Sequence, residues 1–160
     1  MTTTTQKTME LTLTRLIPAT PAEVFDAWMD PKHPGNPWSG AKKLLFDGRV
    51  DGLFYFLHLS DGRRSGHDAV LAEVAAEPWA HYGRFIAIQQ NERVQYAWMS
   101  PFTNGLESVV TVIFEKKGDD TLVTLNHANL PDDERGRVHE RGWNYCFNQF
   151  GERFAARRPQ

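Results

Sequence analysis

The chain has 160 residues, 18 of them basic and 20 acidic, for a net charge of −2. That balance excludes the strongly basic footprint of a nucleic-acid-binding domain, and the length fits one domain that buries about 70% of its unfolded surface. The lone cysteine, Cys146, excludes an internal disulfide or a cysteine metal cluster, while an aromatic content of 12%, with five Trp and ten Phe, points to a wide interior lined by rings.

Residues 1–9 are polar and Thr-rich and read as a disordered tail. They lack the basic stretch and apolar run of a secretory signal. The longest apolar run in the chain, Leu53 to Leu57, is far too short to span a membrane. A cytoplasmic protein without membrane contact is expected.

A strand is predicted from Glu10 to Ile17. Thr20-Pro21-Ala22-Glu23 forms a capping box with Pro at the first helical position, and the helix it starts is stopped by Asp30-Pro31. Residues 31–40 hold three Pro and two Gly and read as a loop around Trp38. Strands follow at Leu44–Phe46 and Leu53–Leu59, flanking the Asp47-Gly48 turn signal. Asp68–Ala76 is open between helix and strand. Tyr82–Gln89 and Arg93–Met99 form a pair around Asn91, and Ser108–Glu115 and Thr121–His127 a second pair. Pro101–Gly105, between the pairs, is a turn. A long helix is predicted over 131–157, with acidic residues in its first turn, Arg157 and Arg158 at its end, and an apolar stripe of Trp143, Cys146, Phe147, Phe150 and Phe154. Segregated strands and helices argue α+β with an antiparallel sheet.

Alternation along the strands predicts the covered face of the sheet. It carries Val94, Tyr96, Trp98 and Ser100, then Ser108, Val110, Val112 and Phe114, then Val123, Leu125 and His127. The strand at Leu53 is apolar on both faces, so alternation does not decide it; placing Asp51 outside puts Phe54, Phe56 and His58 inside. His139 shares the helix face of Trp143. Aromatic rings with a few polar atoms are the composition of a small-molecule pocket, and equally of a core whose polar groups are satisfied.

Motifs of known chemistry are absent. No nucleophile elbow, phosphate-binding loop or dinucleotide fingerprint is present. His139-Glu140-Arg141-Gly142-Trp143 begins like a zinc motif, but Trp143 stands where the second His is required. Neither a metal nor a cofactor is expected. Cys146 reads as an inert core thiol. Ser100 beside His127 imitates a nucleophile and base, but no orienting acid shares their face. Glu107 reads as a turn residue, or alternatively as a rim group paired with Arg84 or His139.

Several strings nevertheless carry a resemblance. LTLTRLIPATPAEVFDAWMDP resembles the opening strand and helix of the START-like (SRPBCC) superfamily. HYGRFIAI, VQYAWMS, GLESVVTVIFE and TLVTLNHANLPDDERGRVHERGW, in that order, resemble its branch named for the C-terminal domain of the heat-shock protein 90 ATPase activator. The likeness covers residues 10–156 and implies a single helix-grip domain over 10–157, a curved antiparallel sheet around a long C-terminal helix with a cavity between. Residues 60–80 depart from the family pattern and look like an insertion. The resemblance implies a ligand site of Trp28, Trp38, Phe54, Phe56, Phe85, Trp98, His127, Trp143 and Phe147, to which alternation adds His58; alternation leaves Phe85 undecided. Three functions follow. The preferred one is binding of a small apolar or aromatic ligand. The second is a cofactor-independent hydrolase or cyclase, with His127 or His139 as general acid or base and Ser100 or Glu107 orienting substrate. The third is a chaperone partner that stimulates the ATPase. Monomer and homodimer remain open.

Overall fold

A computed structural model describes residues 6–33, 36–38, 41–58 and 79–156, the side chains of His58 and Trp79 excepted. The elements are β1 (Thr8–Ile17), α1 (Pro21–Trp28), β2 (Lys43–Phe46), β3 (Leu53–His58), β4 (Trp79–Gln89), β5 (Arg93–Trp98), a short 3-10 turn (Pro101–Thr103), β6 (Ser108–Lys117), β7 (Asp120–Pro131) and α2 (Glu134–Ala155).

The strands form one seven-stranded antiparallel sheet in the order β1-β7-β6-β5-β4-β3-β2. Tight turns make most of this order local. Asn91 adopts φ +65° between β4 and β5, and Gly118 adopts φ +62° between β6 and β7, the left-handed conformations such turns demand. The long C-terminal helix α2 packs against β1, β7 and the 3-10 turn, and α1 lies against β6 and β7. This is the expected α+β helix-grip arrangement. Alternation is clean where the sheet is covered. Ser108, Val110, Val112 and Phe114 are buried and their neighbours are not; Thr121, Val123, Leu125 and His127 repeat the pattern opposite them.

The capping box forms as its sequence predicts: Thr20 Oγ1 accepts from the Glu23 amide, and the Glu23 carboxylate accepts from the Thr20 amide. Several boundaries differ from expectation: β6 runs on to Lys117, β7 spans Asp120–Pro131, and the long helix ends at Ala155. Thr8 and Met9, assigned to the tail, pair with Pro131 and Leu130 and so belong to β1. The long helix begins at Glu134, not at 131. Pro131 instead closes β7, and Asp133 caps the helix by accepting from the Arg135 amide at 2.8 Å. Trp79 and Ala80, placed in the insertion, pair with His58 and Leu57 as the start of β4. Residues 59–78, with the open choice at Asp68–Ala76, lie outside the described part of the chain.

The glycines of α2 have different reasons to be there. A Cβ at Gly136 would collide with the Pro131 carbonyl, so this glycine lets the helix leave the end of β7 closely. A Cβ at Gly142 would meet nothing within 4 Å. Gly142→Ala is therefore expected to stabilise the protein by about 0.5–1 kcal/mol through helix propensity, and Gly136→Ala to destabilise it by about 1–3 kcal/mol through overpacking. Thermal denaturation of both variants checks the opposite signs.

Candidate functional site

Between the sheet and α2 the side chains form a connected network of rings. Its first part surrounds Trp38. The residue follows α1 in a loop that the buried Asn36 fastens: its amide nitrogen donates to the carbonyls of Ala27 at 2.8 Å and Asp30 at 2.6 Å, and its oxygen accepts from the Trp38 amide. The Trp38 indole N–H donates to the Trp28 carbonyl at 2.7 Å. The ring then packs against Phe46, Phe54, Phe56, Phe85, Tyr96 and Trp98, with centroids 5.0–6.3 Å apart. Trp38 thus occupies the β3–β5 half of the interior instead of merely lining it. Phe85, undecided by alternation, is fully buried in this group.

The second part lies along α2. Trp28 stacks on Trp143 at 6.4 Å and meets Phe147 and Phe150. Trp98 joins the two parts, 5.1 Å from Trp143. Nine of the ten residues expected at a ligand site are therefore contiguous in the interior. The tenth, His58, ends β3, and its side chain lies outside the described part.

The polar centre is a chain of hydrogen bonds through His127 that includes Ser108 and not Ser100. Trp143 Nε1–H donates to His127 Nδ1 at 3.0 Å, and His127 Nε2 lies 2.8 Å from Ser108 Oγ. Ser108 Oγ–H in turn donates to the Trp98 carbonyl. An indole nitrogen only donates, so His127 Nδ1 must be the acceptor, and its proton sits on Nε2. The ring therefore donates to Ser108 and is no base toward it. Burial, reinforced by His139, holds His127 well below its ordinary pKa and keeps it neutral. Ser100, the serine proposed beside His127, instead caps the 3-10 turn by accepting from the Phe102 amide at 3.0 Å. The signal for that role was present in Ser100-Pro101, a cap followed by the residue that suits a first helical position.

His139 stands across from His127, with ring centroids 5.0 Å apart at 87°. Its Nδ1 lies 2.9 Å from the Arg135 carbonyl and 3.2 Å from that of Gly136. Burial lowers its pKa although both carbonyls favour the charged form. Its Nε2 is buried without a partner, as are Trp28 Nε1, Trp98 Nε1 and the Tyr96 hydroxyl. Tyr96 was placed inside by alternation but not counted among site residues. Burial, with Cys146 nearby, raises its pKa well above the ordinary range, while the Trp28 indole opposes the rise without reaching hydrogen-bond geometry. The Cys146 sulfur is itself enclosed, although the residue is only half-buried, and burial pushes the thiol up to about 12. It is protonated and unreactive at neutral pH.

Glu107 does not reach this interior. It is exposed and lines an open groove of about 390 Å³ on the outer face of the sheet, with Leu45, Leu53, Tyr55, Tyr82 and Arg84. Arg84 shares that groove but makes its ion pair with Asp51, at 3.7 Å. Among the described residues, no group of three or more His, Cys, Asp or Glu is placed to hold a metal ion, and no helix is long and apolar enough to cross a membrane.

Comparison with known proteins places this geometry. A family model described as Activator of Hsp90 ATPase homolog 1-like protein matches residues 18–155. Among curated proteins nothing matches. Similar solved structures include a protein from Chromobacterium violaceum, with 20% identity, TM-score 0.71, and 91% of this chain and 96% of that one covered. An AHSA1-like protein from Aeromonas hydrophila is similar at 16% identity and TM-score 0.68, covering 92% and 93%. A protein from Mycobacterium smegmatis is similar at 16% identity and TM-score 0.68, covering 93% and 92%. At these identities the likeness is one of fold.

Proposed function

The chain belongs to the Activator of Hsp90 ATPase homolog 1-like family, and from that premise we propose that it binds a small, largely apolar, ring-bearing molecule between the sheet and α2. The observation that carries this reading is a set of buried polar atoms without partners. Trp98 Nε1, on β5, has none, and Trp28 Nε1 and the Tyr96 hydroxyl have only each other, short of hydrogen-bond geometry. Buried polar groups are ordinarily hydrogen-bonded, and each left unmade costs about 1–3 kcal/mol. A ligand oxygen accepting from the Trp98 indole removes that penalty there, and the surrounding rings offer apolar contact. The Trp38 half of the interior is already filled, so the reading places the ligand on the side of Trp28, Trp98 and Trp143.

His127 is a poor candidate for the general base of the enzyme alternative. Its Nε2 is a donor and its Nδ1 is engaged by Trp143, so neither nitrogen is free to take a proton from substrate.

The test is native mass spectrometry of the protein as purified, followed by extraction and by thermal-shift titration with a panel of aromatic and lipid molecules. The expected result is a bound apolar species or a saturable shift; a ligand at a hundredfold its Kd stabilises by about 2.7 kcal/mol. An empty protein with no shift across the panel overturns the reading and turns attention to protein partners, including a chaperone ATPase.

A further inference from the structure

We propose that His139 is the specificity-determining residue of the ligand site, selecting molecules that carry a hydroxyl on the ring. This deepens the ligand-binding reading and rests on it. The argument starts from which atoms still have something to give. Carbonyl oxygens only accept, so the contacts from His139 Nδ1 to the Arg135 and Gly136 carbonyls require the proton on Nδ1. Burial keeps the ring neutral at pH 7. His139 Nε2 is therefore a bare lone pair, and it is enclosed without a partner.

The donors of His127, Ser108, Trp143 and Thr103 are already engaged. His127 gives its proton to Ser108, Ser108 gives its own to the Trp98 carbonyl, and Trp143 gives its own to His127. Thr103 donates to the Ser100 carbonyl at 3.0 Å. What His139 Nε2 lacks is a donor, and it lacks it beside aromatic surface: Phe102 meets His139 edge-on at 6.3 Å, and His127 at 5.0 Å. An apolar molecule with an O–H supplies that proton. One without it leaves the acceptor unmade, the situation in which sites built for a hydroxyl discriminate most strongly.

The position also explains why His127 and His139 differ in role though both are buried. His127 is satisfied on both nitrogens and holds the sheet to α2. His139 is anchored on one nitrogen by its own helix and presents the other.

The experiment compares a naphthol with methylnaphthalene, matched in shape but not in hydrogen bonding, by quenching of tryptophan fluorescence. Wild-type protein is expected to bind the naphthol at least roughly tenfold more tightly. His139→Phe is expected to bring the ratio close to one, and His139→Gln, whose carbonyl still accepts, to restore part of it. Equal binding of both probes by the wild type overturns the role of His139 and leaves the ligand reading standing. Failure of both probes to bind counts against the ligand reading and removes the anchor with it. A measurement on the wild type alone guards against misfolded variants. Nitrogen NMR should find His139 as the Nδ1–H tautomer with an Nε2 resonance that moves when the naphthol is added. An unmoved resonance with the naphthol bound overturns the proposal.

Discussion

Trp38→Ala is expected to lower folding stability by about 3–5 kcal/mol, the range for deleting a fully buried large aromatic side chain. Trp38 is 1% exposed and touches six rings drawn from β2, β3, β4 and β5. The strands that carry those rings are tied to one another by the sheet ladder, which limits their collapse into the void. The substitution also strips the Trp28 carbonyl of its partner. With total stabilities of small domains near 5–15 kcal/mol, the loss is a large share of the whole. Trp38→Phe separates the two contributions, keeping most of the ring contact while losing the hydrogen bond. Urea denaturation of both variants measures the effect, with the m-value held to that of the wild type. A loss below about 1 kcal/mol for Trp38→Ala would mean that the β3–β5 half of the interior is not packed on this ring.

The second large effect is on pH dependence. His127 and His139 both have folded-state pKa values lowered from the ordinary 6.5, principally by burial. The unfolded chain therefore takes up these two protons first as the pH falls. Stability is at its full value above about pH 6.5 and declines as the pH drops toward the folded-state values. Each imidazole can reduce the folding equilibrium constant by roughly tenfold per pH unit within that window. Denaturation midpoints at pH 7.5 and about 5.5 read this directly. His127→Gln is expected to flatten the slope while costing stability at neutral pH, since it disturbs the bonds to Ser108 and Trp143. A wild-type stability that does not fall between those pH values would mean that the two rings are not held neutral in the folded state.

Much of the architecture was legible because it is written in local pattern. The Thr20–Glu23 box, the turn at Asn91, and the alternation through Val110, Val112, Val123 and Leu125 each depend on neighbours a few positions apart, and each came out as read. What failed depends on register or on choices between equivalent signals. Pro131 suits a helix start and a strand end equally well, and the cap at Asp133 decided between them. Ser100 and Ser108 both face inward by alternation. The strand pairing that sets Val110 opposite His127 brings Ser108, not Ser100, within reach of the imidazole. Trp38 was recognised as an interior residue, but that its ring fills space instead of bordering it follows from the Asn36 bonds that aim the loop. The unpartnered atoms on Trp28, Trp98 and His139 are legible only in three dimensions, since any sequence supplies candidate partners until the neighbours are known.

The one non-local join in the sheet is that between its first and last strands. Thr12 meets Asn126, 114 positions further along, while the other strands pair with sequence neighbours. On the ribosome, at roughly 5–20 residues per second, β1 emerges on the order of ten seconds before the strand that receives it. During that wait the segment lacks the ladder that β7 later supplies. The composition of the segment suits the delay: Arg15 breaks the face of Leu11, Leu13 and Ile17, and Glu10, Thr12 and Thr14 make the other face polar, so the waiting strand offers a short apolar face to other nascent chains. Synthesis order thus puts a solubility demand on β1 that the finished fold, in which Leu11 and Ile17 are buried, no longer displays.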